Sequence, residues 1–422
     1  MKAGTKKKVD RVARIAIVLA NCKGNLGDFA ILDAMIDHLR EHASGAEIHI
    51  SPDPTLNFSP LHFECFKKQL SNPLTMGNEL PKLQPTQLAN LFNRMARKAG
   101  LLGIINQHRL RRASRKLQSS LSAFHQYDLI AIAGGGLWGA NALTKFGLIR
   151  AFDSLGLPVI CYPFTAAWPM WEANTVRTLR NTFSLLHGPL AARESITLHR
   201  LKKIGLEPAL YPDIAFRLHH RITRRPPDVL KEHKVLISVT KRRKRPPEKQ
   251  RAIELRSRYR MTQKHTLGEE NVAETVTRLK KAGLMPELIT TTSAEDRDWM
   301  ENIKKQKNIN TSYPLTWQDF CAELQTASCL ITNRLHGAIL GLLSQTPVFL
   351  VADSDKTNGF SRQLPYGHSV DKLADLDIPT IISLLSNRDQ TLRKQSAIVC
   401  SATRLLAEYN PLADVSKPGS TH

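Results

Sequence analysis

The sequence lacks any run of about 20 consecutive apolar residues, which is the length that a membrane-spanning helix needs. A short apolar run, 15–20, follows three lysines near the N-terminus, but it leads directly into a polar segment and predicts a buried first strand rather than a signal peptide. The six cysteines include no Cys-x-x-Cys pair, and a chain of 422 residues does not need disulfides for its stability. We therefore expect reduced thiols in a cytoplasmic protein.

Acidic and aromatic residues are scarce where basic residues are dense. The formal net charge is +23; segment 82–127 holds nine lysines or arginines and no aspartate or glutamate, and 241–260 holds ten against two. Such positive fields attract nucleic acid, anionic lipid and phosphorylated compounds alike. A nucleic-acid binder would interleave aromatic side chains with its cations, but the first segment has three and the second has one. Nucleic acid is therefore not the expected partner.

Segment 86–118 mixes leucine, isoleucine and methionine with its cations. This pattern is compatible with peripheral contact with the anionic inner face of a membrane, and equally with an ordinary packed pair of helices. Nothing in the residue pattern requires a metal or a cofactor, and we expect neither.

Strand patterns alternate with helix patterns along the chain, which predicts parallel sheets with helices on both faces. The alternation occurs twice, with predicted strands at 14–20, 46–50, 128–133, 157–162 and 187–192, and then at 234–239, 285–290, 328–332 and 347–352. We predict an α/β protein with two Rossmann-like domains, 1–218 and 233–410, a polar linker at 219–232 and a loose tail at 411–422. The final helices, within 372–408, are expected to pack back across the domains.

The most informative segment is 328–337, where a short apolar strand leads into a helix. Asn333 is predicted to cap this helix, whose first turn then offers backbone N–H groups to an anion. Arg334 adds a planar guanidinium suited to carboxylate or phosphate, and His336 can give or take a proton near neutral pH. The segment therefore predicts an anion site with a proton carrier beside it.

Other distinctive residues also follow predicted strands. Ligands of parallel sheets bind in the crevice beyond the carboxyl ends of the strands, so we expect each of these residues on that side of its sheet. These residues are Asn25 and Asp28 after the first strand, Gly134, Gly135 and Gly136 after 128–133, Arg193 after 187–192, Asp213, and Lys356 after 347–352.

Taken in order, these motifs resemble those of the polysaccharide pyruvyl transferase family. They are Asn-x-Gly-Asp at 25–28, the glycine triplet at 134–136, Arg-Glu-Ser at 193–195, Asp-x-Ala-Phe at 213–216, Arg-Leu-His-Gly at 334–337, and Asp-Ser-Asp-Lys with a following Gly-Phe within 353–360. The resemblance covers most of the chain. It departs from the family at Ile214, where proline is usual, and at 241–260, which has no counterpart that we can match.

The resemblance implies a fold like that of B-type glycosyltransferases, with the site between two Rossmann-like halves. It also implies phosphoenolpyruvate as co-substrate and a sugar or lipid-linked oligosaccharide as acceptor, in exopolysaccharide or cell-surface glycan synthesis. The product would be a cyclic pyruvate ketal.

By the same resemblance, Arg193 and Arg334 bind the donor with help from the backbone N–H groups of Leu335 and His336, and His336 is the general acid. Asp28 is the preferred base, with Asp213 as the other candidate, and Lys356 neutralises the departing phosphate. The alternative is a nucleotide-sugar-dependent glycosyltransferase of the same fold. Such enzymes usually place acidic residues on the donor ribose, but 341–349 contains none.

Overall fold

The computed structural model describes residues 14–20, 24–52, 64, 75–76, 121–138, 142–166, 173–222, 233–240, 268–363, 369–370, 373–413 and 415. The segment 86–118, the basic segment 241–260 and most of the linker therefore lie outside the described residues, and so does the question of whether 86–118 contacts a membrane. Within them, no helix is both long and apolar enough to cross a membrane.

The N-terminal half, residues 14–222, alternates strands and helices as the sequence predicts. Its elements are β1 (Arg14–Ala20), α1 (Leu26–His42), β2 (Glu47–Pro52), β3 (Thr75–Met76), β4 (Leu129–Ile132), β5 (Gly135–Trp138), α2 (Ala142–Ser154), β6 (Val159–Cys161), β7 (Phe164–Ala166), α3 (Ala173–Phe183), β8 (Ala191–Ala192), α4 (Ser195–Lys203) and β9 (Ala209–Leu210), with 3₁₀ helices at Ser122–Gln126 and Ile214–Arg221.

The C-terminal half, residues 233–415, repeats the alternation. Its elements are β10 (Lys234–Ser238), α5 (Glu269–Lys281), β11 (Met285–Ile289), α6 (Ser293–Lys307), β12 (Asn310–Ser312), α7 (Trp317–Leu324), β13 (Cys329–Thr332), α8 (Leu335–Leu343), β14 (Val348–Val351), α9 (Asp355–Ser361), β15 (Ser369–Val370), α10 (Ile378–Ser386) and α11 (Arg388–Glu408), with a 3₁₀ turn at Leu373–Asp375.

Three sheets result, and every recorded strand pair in them is parallel. The first has the order β3-β2-β1-β4-β6, the second β5-β7-β8-β9, and the third β12-β11-β10-β13-β14-β15. The central strands β4, β10, β13 and β14 are buried at every position, as parallel strands covered on both faces must be. The predicted α/β fold class is confirmed.

The two halves are fastened to each other by a buried carboxylate on α1. Asp33 is fully buried; it accepts a hydrogen bond from Nε1 of Trp317 at 3.0 Å and one from Nη1 of Arg221 at 2.6 Å. Burial raises the pKa of Asp33, and the Arg221 charge opposes that rise. Because Trp317 lies in the C-terminal half and Arg221 in the N-terminal half, these bonds join α1 to both halves.

The end of α11 crosses back onto the N-terminal half. Tyr409 donates from its hydroxyl to the carbonyl of Cys161 at 3.1 Å, and its own carbonyl lies 3.1 Å from Nε2 of His38. The other ring nitrogen of His38 lies 3.2 Å from the hydroxyl of Tyr162. His38 and His42 have a spacing that helical zinc sites use, but both ring nitrogens of His38 already have partners.

Some predicted boundaries differ from the observed ones. Residues 219–221, assigned to the linker, belong to the 3₁₀ helix Ile214–Arg221 that packs against α1 and α11. The loose tail does not begin at 411, because Leu412 is 2 % exposed and belongs to the hydrophobic core. Within the predicted strand 187–192, only Ala191–Ala192 form a strand, which pairs with β7 on one side and with β9 on the other.

Candidate active site

His336 lies in the first turn of α8, directly after the buried strand β13, so it is presented at the carboxyl edge of the third sheet. Arg334 occupies the N-cap position, and the hydroxyl of Thr332 accepts from its backbone N–H at 3.0 Å. The prediction that Asn333 caps the helix is wrong. Its amide instead donates to Asp353 at 2.9 Å and accepts from the N–H of Thr240 at 2.8 Å, which ties three strand ends together.

Arg193 follows β8 in the N-terminal half, and its side chain is 2 % exposed. Its Nε donates to the hydroxyl of Thr165 at 2.7 Å, and its Nη1 donates to Oδ2 of Asp213 at 2.8 Å. Glu194 lies 3.6 Å from the same Nε; burial raises the pKa of Glu194, and the Arg193 charge opposes the rise. These contacts fix the guanidinium in one position.

Asp213 joins this arginine to the histidine of the other half. One carboxylate oxygen accepts from the backbone N–H of Ala215 at 3.0 Å, and the other lies 3.6 Å from Nε2 of His336. Burial alone would raise the pKa of Asp213, but the polar contact with His336 and the Arg193 charge outweigh it and hold the pKa well below its usual range. Asp213 is therefore a buried, ionised carboxylate.

The Nε2 atom of His336 faces both a cation and an anion. Nη1 of Arg193 lies 3.4 Å from Nε2, so an unprotonated Nε2 accepts from Arg193, and a protonated Nε2 donates toward Asp213. Both protonation forms of the imidazole thus have a partner in place. This arrangement suits a group that loses and regains a proton during a reaction.

Asp28 lies in the first turn of α1, and the charges of this cluster affect the pKa of its carboxyl. Burial raises the pKa of its carboxyl, while His336, Lys356 and Arg193 act in the opposite direction. Lys356, on α9 of the C-terminal half, is exposed, and its charge acts on Asp28 of the N-terminal half. Asn25 caps α1 by accepting from the N–H of Gly27 at 3.1 Å.

The glycine triplet follows β4, as the sequence predicts. Gly135 and Gly136 begin β5 of the second sheet. Gly135 has a φ of 98°, and a Cβ there would lie 3.9 Å from Nη1 of Arg193. At Gly134 a Cβ would lie 2.8 Å from the carbonyl of Pro163. The triplet therefore lets the backbone pass close to Arg193 and to the neighbouring strand end.

Arg334 is held by partners within the C-terminal half. Its guanidinium is paired with Asp296 of α6 and donates to the hydroxyl of Thr291 at 3.2 Å, and its side chain is 9 % exposed. Asp296 also accepts from Thr292 at 3.0 Å and from Nε1 of Trp299 at 3.1 Å. Burial lowers the pKa of Arg334, and the Asp296 charge opposes this. The predicted role of Arg334 in donor binding remains a prediction.

We expect Arg334→Ala to destabilise the protein by about 3–5 kcal/mol, because it leaves the buried Asp296 without its counter-charge. Urea unfolding of the variant and the wild type measures this loss. The double variant with Asp296→Ala should recover part of it, since it removes the uncompensated charge. Equal stability of Arg334→Ala and wild type would show that the pair does not hold the fold.

Two polar residues around Arg193 were missed by sequence reasoning. Thr165 comes from β7, a three-residue strand with no recognisable signal. Glu194 is part of the Arg-Glu-Ser motif, and its place in that motif was the only indication in the sequence that it lies beside Arg193. Among the described residues, no group of three or more His, Cys, Asp or Glu is arranged to hold a metal ion.

Comparison with known proteins bears on this site directly. The sequence model of the family described as polysaccharide pyruvyl transferase matches residues 25–355, a span that begins at Asn25 and includes Arg193, Asp213 and His336. No curated protein matches the chain in sequence.

Solved structures show the fold. A glycosyltransferase from Rickettsia africae aligns with a TM-score of 0.54 at 10% identity, over 94% of this chain and 97% of its own. A UDP-GlcNAc 2-epimerase from Neisseria meningitidis, bound to UDP-GlcNAc, aligns with a TM-score of 0.53 at 12% identity, over 94% of this chain and all of its own. At such identities the likeness concerns the fold alone, and it confirms the prediction of a B-type glycosyltransferase-like architecture.

Proposed function

Because the chain belongs to the polysaccharide pyruvyl transferase family, we propose that it moves the pyruvyl group of phosphoenolpyruvate onto two hydroxyl groups of a sugar as a cyclic ketal. The observation that carries the proposal is the meeting of Arg193, Asp213 and His336 between the two halves. A fixed cation and a proton carrier, joined by one carboxylate, match what this donor requires.

Phosphoenolpyruvate brings a carboxylate and a phosphate that need cations and N–H donors. Arg193 supplies a guanidinium whose position is set by Thr165 and Asp213. The first turn of α8 supplies the N–H groups of Leu335 and His336, because its N-cap residue, Arg334, makes no side-chain capping bond. Lys356, exposed on α9, is the cation suited to the departing phosphate.

The donor also needs a proton at its methylene carbon before its C2 becomes electrophilic. In the proposal, His336 gives the proton from Nε2, the nitrogen that faces Arg193 and hence a bound anion. A first sugar hydroxyl forms a bond to C2 and gives up its proton, and phosphate leaves with the C–O bond electrons. A second hydroxyl then adds to C2, loses its proton and closes the ring.

Asp28 is the proposed base for the hydroxyl protons. Burial raises the pKa of its carboxyl, and a carboxylate with a raised pKa is a better proton acceptor near neutral pH. Asp213 is less suited to this role because its pKa is held low and its oxygens already have partners. The acceptor, a sugar or lipid-linked oligosaccharide, would enter from the side of α1, where Asn25 and Asp28 lie.

Calorimetric titration of phosphoenolpyruvate into wild type and Arg193→Lys tests the donor assignment. We expect binding to wild type and about 10-fold to 100-fold weaker binding to the variant, because a lysine cannot reproduce the fixed fork of charged hydrogen bonds. Arg278→Lys is the matched control, since Arg278 bonds the carbonyls of Ala374 and Leu376 away from the site.

A parallel titration with UDP separates the alternative function. Binding of UDP without binding of phosphoenolpyruvate would replace pyruvyl transfer by nucleotide-sugar chemistry. A weakened donor affinity in Arg278→Lys equal to that in Arg193→Lys would remove the assignment of Arg193.

A further inference from the structure

Gly27, in the first turn of α1, has no conformational reason to be glycine. It lies within the helix Leu26–His42, and its backbone φ is not in the left-handed region. At such a position alanine is the more favourable residue, by about 1 kcal/mol in helix propensity. A requirement for space is the remaining reason, and the structure shows which group occupies that space.

A Cβ built on Gly27 would lie 2.3 Å from both Cβ and Nδ1 of His336, and 2.4 Å from its Cγ. These atoms belong to a rigid ring and its attachment point, and they come from the other half of the protein. The bare α-carbon of Gly27 thus allows α1 to lie directly against the imidazole. Its contact is with the Nδ1 side, while Nε2 faces Arg193 and Asp213.

Neither the first turn of α1 nor His336 can move aside without disturbing other contacts. Leu26, the neighbour of Gly27, donates its backbone N–H to the carbonyl of Thr291 at 2.8 Å, which fastens this turn to the C-terminal half. The hydroxyl of Thr291 in turn accepts from Arg334, two residues before His336. Gly27 itself is held by its N–H bond to the side chain of Asn25. The turn and the histidine are therefore parts of one connected network.

We propose that Gly27 is a positioning residue, whose bare backbone presses on one side of the His336 ring and so keeps Nε2 aimed at Arg193 and Asp213. This rests on the proposed function, in which His336 delivers its proton from Nε2. The mechanism is steric: any side chain at position 27 displaces the ring or breaks the Leu26–Thr291 bond. A displacement of about 1 Å at a reacting group costs up to about 100-fold in rate.

A thermal double-mutant cycle tests the contact without reference to any activity. In wild type, Gly27→Ala should lower the unfolding midpoint by at least about 2 °C, because it forces a clash in a packed site. In His336→Gly, which removes the Cβ of residue 336 together with the ring, the same substitution should leave the midpoint unchanged or raise it, because the clash is gone and alanine favours the helix. Equal lowering in both backgrounds would overturn the proposal.

Two readouts test the positioning role. The nitrogen NMR signals of the His336 ring, assigned by their loss in His336→Ala, should shift in Gly27→Ala. Turnover should fall by at least about tenfold while the KM for phosphoenolpyruvate changes by less than about threefold. Gly268→Ala is the matched control, because Gly268 also lies at a helix start and a Cβ there would meet Asn271 at 3.5 Å and Glu270 at 3.7 Å, both ordinary contact distances.

These outcomes distinguish the positioning role from the proposed function. If wild type turns over no phosphoenolpyruvate, pyruvyl transfer fails, while the thermal cycle and the ring signals still decide whether Gly27 sets the ring. Unshifted ring signals in Gly27→Ala, or unchanged turnover in an active protein, would overturn the positioning role.

Discussion

Replacing His336 by glutamine is expected to lower turnover of phosphoenolpyruvate by about two to four orders of magnitude, the usual contribution of a positioned general acid. Glutamine keeps a polar group near Asp213 and Arg193 but cannot carry a proton to the donor carbon. Donor affinity should change by no more than about threefold, because Arg193 and the N–H groups of α8 remain in place. Steady-state kinetics and calorimetric titration together measure the two effects.

His199→Gln is the control for this experiment. His199 lies on α4 with an exposed side chain, so the same substitution there changes no contact of the cluster. Unaltered turnover in His336→Gln would assign proton delivery to another group, with Asp28 next in line because of its raised pKa. Loss of donor binding together with turnover would make His336 a binding residue instead.

Sequence reasoning located the cluster because its members sit where parallel strands end. Asp28, Arg193 and His336 each follow a strand of a sheet whose alternation with helices was visible in the apolar pattern. Since the parallel strands of a sheet all end at the same edge, each of these residues could be placed at the carboxyl edge of its own sheet without any knowledge of side-chain contacts. The fold class followed from the alternation of strands and helices, and the family followed from the ordered motifs.

Partners that come from unrelated segments could not be predicted in this way. Asp296, which pairs with Arg334, lies on a helix whose pattern predicts only an amphipathic surface element. Asparagine is a common helix cap, but the side-chain amide of Asn333 instead bonds Asp353 and Thr240, which follow two neighbouring strands. Leu412 is buried because α11 returns to the N-terminal half, and a local pattern cannot show that return.

Two short strands were missed for a related reason. β7 contains three residues and β9 contains two, too few for any periodicity to emerge. β7 nevertheless carries Thr165 into the cluster, because parallel pairing fixes it to β8, the strand that precedes Arg193. The sequence therefore showed the positions of the cluster residues better than it showed the short strands that carry them.

The second large effect is expected from Asp213→Asn, an exchange of equal size that removes one negative charge. Turnover should fall by about two to four orders of magnitude, because the protonated form of His336 loses the carboxylate that stabilises it and Arg193 loses its anchor. Initial rates measured at saturating donor test this loss.

Stability gives an independent test with a defined sign. The pKa of Asp213 in the folded protein lies below its unfolded value of about 4, so the carboxylate stabilises the fold above that pH and this contribution is lost as the pH falls. Wild type should therefore lose stability on acidification more steeply than Asp213→Asn. Asp37→Asn, which alters another carboxylate paired with an arginine, is the control because Asp37 bonds Arg221 outside the cluster. Parallel acid unfolding of wild type and Asp213→Asn, or a turnover loss in Asp37→Asn as large as in Asp213→Asn, would contradict the assignment of Asp213 as the carboxylate that joins Arg193 to His336.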